Sequence, residues 1–148
     1  MTAGADASIH ASAVLVGGRA VLIRGPSGSG KSRLAFDLIL AGRAGQLPAV
    51  TLIGDDRVRL TDHAGRLIVR GVPELAGMIE IRGLGIRTIG FVAEATVGLV
   101  VDLDATDAER LPPPQTLKTQ VSGLEIPRIP VAPGYSALPL VVAFLTTV

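Results

Sequence analysis

The sequence predicts an α/β domain: a mixed β-sheet with few helices, organised around a phosphate loop. Three observations carry that prediction. Residues Gly25 to Ser32 read GPSGSGKS, a complete Gly-x-x-x-x-Gly-Lys-Ser pattern. The apolar run Ala20-Val21-Leu22-Ile23 enters it and the helix-forming stretch Arg33-Leu34-Ala35-Phe36-Asp37-Leu38 leaves it, which is the strand-before, helix-after setting the pattern requires and a glycine-rich hairpin turn does not. Short apolar runs rich in β-branched residues then recur along the chain, punctuated by glycines and charged turns, as strands of a sheet do.

Taken in order, strands are expected at Val14 to Val16 and Ala20 to Ile23, with Val16-Gly17-Gly18-Arg19 as a hairpin turn between them. The clearest helix runs from Lys31 to Ala41, with Leu34, Leu38 and Ile39 on one face and Gly42 as its stop. Further strands are expected at Val50 to Ile53, Val58 to Leu60, Leu67 to Val69, Met78 to Ile81, Gly85 to Ile89 and Val97 to Leu103. Asp104 to Gln120 carries Pro112-Pro113-Pro114 and mixed charge and reads as a surface loop. A second helix is expected from about Ser136 to Leu145, with Ser136 as cap and Pro139 in the first turn.

The chain of 148 residues fits a single domain over 1–148, with no internal repeat. Fourteen basic against 13 acidic residues leave no electrostatic footprint for nucleic acid or anionic lipid, and aromatic residues are too few to stack bases along a strand. Lys31 and Lys118 are the only lysines, which sets Lys31 apart. The absence of cysteine excludes disulfides and thiolate metal sites. The opening MTAGADASIHASAV lacks the basic and apolar regions of a signal peptide, and no stretch approaches the roughly 18 apolar residues of a membrane span, so a soluble, cytosolic protein is expected. With 48% hydrophobic residues and a mean hydropathy of +0.50, either the sheet is buried on both faces or other subunits cover part of the surface. No charged side chain follows Arg128, so the tail is either an oligomer contact or a helix buried in its own subunit.

Gly25, Pro26, Ser27, Gly28, Ser29, Gly30, Lys31 and Ser32 form the candidate nucleotide-binding loop. Its backbone N–H groups and the following helix N-terminus would face phosphates, Lys31 would bridge them, and the Ser32 hydroxyl would hold Mg²⁺. A carboxylate at the end of a neighbouring strand would complete the metal shell. Asp55 and Asp56 in LIGDD offer one such pair, Asp102 and Asp104 on a shared strand face another. Spacing favours the first, because strand, helix and next strand make a compact βαβ unit. Adjacent carboxylates repel, which suits one of them to act as a base toward a hydroxyl; the alternative is a Gly-Asp-Asp turn with solvated side chains. Glu80 and Arg82 in IEIRGLGI would project to one side of a strand, while His10 and Arg110 read on their own as structural or solvated residues.

In this order, IHASAV with His10, GPSGSGKS, LIGDD, IEIRGLGI, the ERL at Glu109 to Leu111 and IPVAPG resemble the catalytic domain of HPr kinase/phosphorylase, from residue 9 to about 134. The IEIRGLGI phrase is the most specific of these landmarks. The resemblance implies a fold similar to that of HPr kinase and phosphoenolpyruvate carboxykinase. It also implies an ATP- and Mg²⁺-dependent serine kinase acting on the phosphocarrier HPr, with a regulatory role in the phosphotransferase system. By resemblance, Asp55 is the base and His10 its neighbour, Lys31 stabilises the transferring phosphoryl group, Ser32 and Glu80 hold Mg²⁺ with Asp56 a candidate helper, and Arg110 is a catalytic arginine. A homo-oligomer, commonly a hexamer in the family, is implied too.

Two departures stand out. Full-length members carry an additional N-terminal domain, whereas this chain starts essentially at the catalytic one. The family's PV-x-PGRN segment, with a basic residue at x, is here PVAPGYS, with Ala132, Tyr135 and Ser136 at the altered positions. That leaves the phosphorolytic direction open. The donor is ATP or another phosphoryl compound, and other readings of the chain are a small-molecule kinase on a related scaffold and a non-catalytic nucleotide-sensing module.

Overall fold

The computed structural model describes residues 7–148; the first six residues of the opening segment, where a signal peptide was sought, lie outside the described residues. The strands are β1 (Ala7–Ile9), β2 (Ser12–Val16), β3 (Arg19–Arg24), β4 (Val50–Gly54), β5 (Val58–His63), β6 (Arg66–Gly71), β7 (Met78–Ile81), β8 (Gly85–Thr88), β9 (Glu94–Asp102), β10 (Lys118–Val121) and β11 (Leu124–Pro130). Two α-helices accompany them among the described residues, α1 (Lys31–Arg43) and α2 (Leu138–Thr146).

The principal sheet runs β1-β5-β6-β9-β3-β2-β4, with β11 joining β9 and β10 joining β11, and β7 and β8 form a separate hairpin. It is mixed, as expected: β3 lies parallel to β9 and antiparallel to β2, which is itself antiparallel to β4. The β3-α1-β4 unit is therefore a parallel crossover with β2 inserted between its strands. At its far edge the sheet curls back, for Leu52 O accepts from Val92 N at 2.9 Å and Ala93 O from Gly71 N at 3.2 Å.

Both sheet faces are buried, which accounts for the high hydrophobic content. Val14, Val21, Ile23, Leu99 and Val101 pack under Leu34 and Leu38 of α1 and Val141 of α2. Ala13, Ala20, Leu22 and Val100 pack on the other face against Val58, Leu60, Leu67, Val69 and Ile126. Strands with apolar residues on both faces read as continuous apolar runs rather than alternating ones, as AVLI and VGLVV do. The pairing irregularity between Ala20 and Val21, opposite Val97 and Leu99, lets those two valine and leucine side chains of β9 enter opposite cores.

Several expected details are corrected. Gly42 does not stop α1; it sits in the last turn, where it lets the helix pack close against Val50 and Pro48. The stop is Gly45, with φ 79°: Gln46 N donates to Ala41 O at 2.9 Å and Gly45 N to Gly42 O at 3.2 Å, the paired bonds of a Schellman ending. Ser136 does not cap α2, whose cap position is Ala137 with no side-chain hydrogen bond. The expected loop from Asp104 to Gln120 ends early, because Lys118 to Gln120 belong to β10. That strand and β11 went unread because Pro127 and Pro130 interrupt the apolar pattern of β11, which tolerates them near the sheet margin. The signal that was available is the Ser122-Gly123 pair, with φ 50° and 80°, which makes the tight turn of their hairpin. Among the described residues no helix is long and apolar enough to cross a membrane.

The uncharged tail is only half accommodated by its own chain. Val141 is fully buried, but Leu140 and Phe144 are 41% and 36% exposed, and the Arg19 guanidinium lies 5.7 Å from the Phe144 ring centroid.

Candidate active site

The phosphate loop follows β3 and turns into α1 at Gly30. Its first residue is held against the end of β9: Leu103 N donates to Arg24 O at 2.9 Å, and a Cβ on Gly25 would fall 2.5 Å from Ser29 Oγ and 3.0 Å from Leu103 Cβ. Lys31 folds back over the loop, its Nζ donating to Gly25 O at 2.9 Å and Pro26 O at 3.1 Å. The first N–H groups of α1 have no acceptor within the helix, and Ser29 Oγ is buried without a hydrogen-bond partner among the described residues. Loop, helix start and orphan hydroxyl together make a cradle rich in donors, the fit a phosphate chain requires.

Asp55 directly follows β4 beside this cradle and is 4% exposed. Its carboxylate accepts from Ser12 Oγ at 2.6 Å, from Ser32 Oγ at 2.7 and 2.9 Å, and from Glu80 N at 3.0 Å. Donors from β2, α1 and β7 thus converge on one buried anion, the arrangement that makes a buried charge tolerable. Ser12 was missed by sequence reasoning; a lone hydroxyl inside an otherwise apolar buried strand was its signal. Asp56 has φ 69° and is exposed, so the two neighbours face different surroundings.

A cavity of about 990 Å³ opens over the loop. Ser27 to Ser32, Asp56, Glu80, Arg82 and Asp104 line its polar side, and Phe36, Val131, Tyr135 and Leu138 its apolar side. Of the sequence-predicted residues, Ser27, Gly28, Ser29, Gly30, Lys31, Ser32, Asp56 and Glu80 therefore meet at one opening; Gly25, Pro26 and Asp55 do not line it, and Asp55 is tied to it through its hydrogen bonds to Ser32 and the Glu80 N–H. Glu80 and Arg82 reach it differently from the expectation, since β7 ends at Ile81 and Arg82 lies in the following turn.

His10 and Arg110 do not join this cluster. His10 Nε2 lies 3.0 Å from the Arg57 guanidinium, which also donates to Ser8 Oγ at 3.0 Å, and His10 is not a hydrogen-bond partner of Asp55 among the described residues. Arg110 is exposed on the loop after β9 and does not line the cavity. Among the described residues no group of three or more His, Cys, Asp or Glu side chains is arranged to hold a metal by itself.

The second carboxylate pair resolves into two unlike residues. Asp104 has φ 54° in the turn past β9, so it shares no strand face with Asp102. Asp102 is instead held by arginines: Arg24 Nε and Nη2 donate to its two oxygens at 2.7 and 2.9 Å, and Arg128 Nε at 2.5 Å. Arg128 continues to Asp107 at 2.8 and 3.1 Å and to Thr116 O at 2.9 Å, tying the strand end before the phosphate loop to the loop after β9. Charged residues ending apolar strands were the sequence signal for this network.

Burial pushes the Asp102 carboxyl up, but hydrogen bonds and charge from Arg24 and Arg128 outweigh it and hold the group below the ordinary carboxylate range. The Arg128 hydrogen bond likewise holds Asp107 low. A carboxyl depressed in the folded state adds stability above its unfolded value of about 3.9, and that stability drains away as pH falls through the folded value. Thermal midpoints should therefore fall below about pH 4. Asp102→Asn should flatten that acid limb while losing about 2 kcal/mol at neutral pH, because Arg24 loses its carboxylate and Arg128 is left with Asp107 and Thr116 O. Parallel acid limbs in both proteins would refute this account.

A model of the HPr serine kinase C-terminal domain family matches residues 2–146. The HPr kinase/phosphorylase of Mycoplasma mycoides subsp. mycoides SC is 36% identical over 146 residues, covering 89% of this chain and 44% of that protein. The HPr kinase/phosphorylase of Geobacillus thermodenitrificans is 33% identical over 140 residues, covering 86% and 43%. This chain thus spans less than half the length of these curated relatives. Among solved structures, the Hpr(Ser) kinase/phosphatase from Coxiella burnetii has a TM-score of 0.73 at 26% identity, covering 94% of this chain and 93% of that one, so the curled mixed sheet with two helices is a shared fold. The family match takes in every wall of the cavity, from the phosphate loop to Leu138, and the chain belongs to the HPr serine kinase C-terminal domain family.

Proposed function

We propose that this chain is the catalytic part of an ATP- and Mg²⁺-dependent protein kinase that phosphorylates a serine of the phosphocarrier HPr. The observation that carries the reading is the buried Asp55 carboxylate hydrogen-bonded to Ser32 of the phosphate loop at 2.7 Å, which sets a proton acceptor beside a phosphate cradle. The donor set fits the metal as well: with its proton directed to Asp55, the Ser32 oxygen keeps lone pairs free for a cation, and Glu80 and Asp56 add carboxylates at the same opening. When bound, Mg²⁺ would neutralise charge on the β- and γ-phosphates. Lys31, released from the Gly25 and Pro26 carbonyls, would turn to the γ-phosphoryl group. Asp55 takes the proton of the acceptor serine as its oxygen bonds to phosphorus, the bridging bond to the β-phosphate breaks, and ADP leaves. In the same proposal His10 acts on Asp55 and Arg110 on the transferring group, which requires each side chain to leave the position described above.

The test is to incubate the protein with ATP, Mg²⁺ and the cognate HPr and seek phosphoserine by mass spectrometry, then to add inorganic phosphate to phosphorylated HPr for the reverse. No phosphoserine while nucleotide binding is intact would remove the kinase reading. A homo-oligomer in the cytoplasm belongs to the same proposal, with no nucleic-acid or membrane partner, and α2 supplies the contact through Leu140 and Phe144. Leu140→Glu should lower the solution mass measured by light scattering and leave the thermal midpoint within about 2 °C, as expected of an exposed site. An unchanged mass would exclude α2 as that contact.

A further inference from the structure

We infer that Tyr135 is a stacking platform for the base of the nucleotide; the inference rests on the phosphate-loop reading above. Tyr135 is 75% exposed although it lines the same cavity as the loop. It is positioned rather than loose. Pro133 and Gly134, the latter with φ 81°, occupy the central positions of a turn closed by Tyr135 N donating to Ala132 O at 3.1 Å, the signature of a type II turn.

That turn is in turn fastened to the sheet beside the phosphate loop, because Val131 N donates to Asp102 O at 2.9 Å and Ala105 N to Val131 O at 2.8 Å. The hydrogen-bonded turn thus sets Tyr135 in the lining of the same cavity that the phosphate loop lines. Beside it the wall is apolar, with Phe36, Val131 and Leu138. No cation is contributed by residues 132–136, so beyond the Ser136 hydroxyl and backbone N–H groups what this turn offers a ligand is the aromatic face of Tyr135. Stacking reads a π-face rather than base edges and tolerates different bases.

The ligand class is accordingly a purine nucleoside di- or triphosphate with weak discrimination between adenine and guanine. Tyr135 is the only tyrosine and the chain has no tryptophan, so its emission reports directly on the site. Titration in Mg²⁺ buffer should show that ADP and GDP change tyrosine emission after inner-filter correction, while tripolyphosphate binds by calorimetry and leaves emission unaltered. Tyr135→Ala should weaken ADP binding about tenfold and leave tripolyphosphate affinity as it was. Tyr135→Phe should restore ADP affinity, since the ring and not the hydroxyl does the stacking. Equal ADP affinity in wild type and Tyr135→Ala, with tripolyphosphate still bound, would overturn the inference and spare the phosphate-loop reading. Failure of both ADP and tripolyphosphate to bind would overturn both together.

Discussion

Asp55→Asn should lower turnover by about 10²- to 10⁴-fold, the range for losing a positioned general base, and leave ADP bound. The local geometry adds a second expectation. The Asp55 carboxylate only accepts, and its partners, the Ser12 and Ser32 hydroxyls and the Glu80 N–H, donate to it. An asparagine turns one of those oxygens into an NH₂ donor, so the serine hydroxyls facing it must turn their protons away and accept, and the loss of charge-assisted bonds at a buried site costs about 1–3 kcal/mol. The variant should therefore melt several degrees lower as well as turn over slowly. Calorimetry with ADP separates the two effects, because a folded variant that binds ADP but transfers no phosphate has lost chemistry and not the site. Turnover within about threefold of wild type would remove Asp55 as the base. A nucleotide-sensing module predicts the contrary pattern, with no phosphoserine from the wild type and no change in behaviour on substitution.

Gly71→Ala should cost about 3 kcal/mol, at the upper end for an overpacked site, and lower the thermal midpoint by about 10 °C for a chain of this size. A Cβ at Gly71 would stand 2.4 Å from Ile53 O. The obstacle is backbone, which cannot swing aside as a side chain does. Relief requires the ends of β6 and β4 to separate, at the place where the sheet curls to meet itself. Because Gly54 and Asp55 follow Ile53 directly, the same movement would carry Asp55 away from Ser32. Scanning calorimetry checks the stability, and ADP affinity checks the site; an unaltered midpoint would show that the two strand ends part freely.

The parts legible in the sequence are those whose cause is local. The phosphate loop announces itself because Gly28, Gly30 and Lys31 satisfy the needs of one turn between one strand and one helix. Leu34, Leu38 and Ile39 declared the buried face of α1 through a 3.6-residue period, and all three are buried. Hairpin strands β2 and β3 were readable from two apolar runs and a Gly17-Gly18 turn. Where prolines and charges entered a strand, as in β11, the period was lost and so was the strand, although backbone pairing to β9 still held it.

By itself, then, the sequence determined that a phosphate cradle sits between a strand and a helix in an α/β chain, and which carboxylates were available to serve it. Tertiary structure alone decided which of them lie beside the loop. Asp55 meets Ser12, Ser32 and the Glu80 backbone because β2, α1 and β7, far apart in sequence, converge at the end of β4. Asp102 is drawn away to Arg24 and Arg128 because β3, β9 and β11 lie side by side. The physical reason is the same in both cases. A carboxylate's role is set by the donors and charges around it, and those are supplied by strand pairing across many residues, which no local period records.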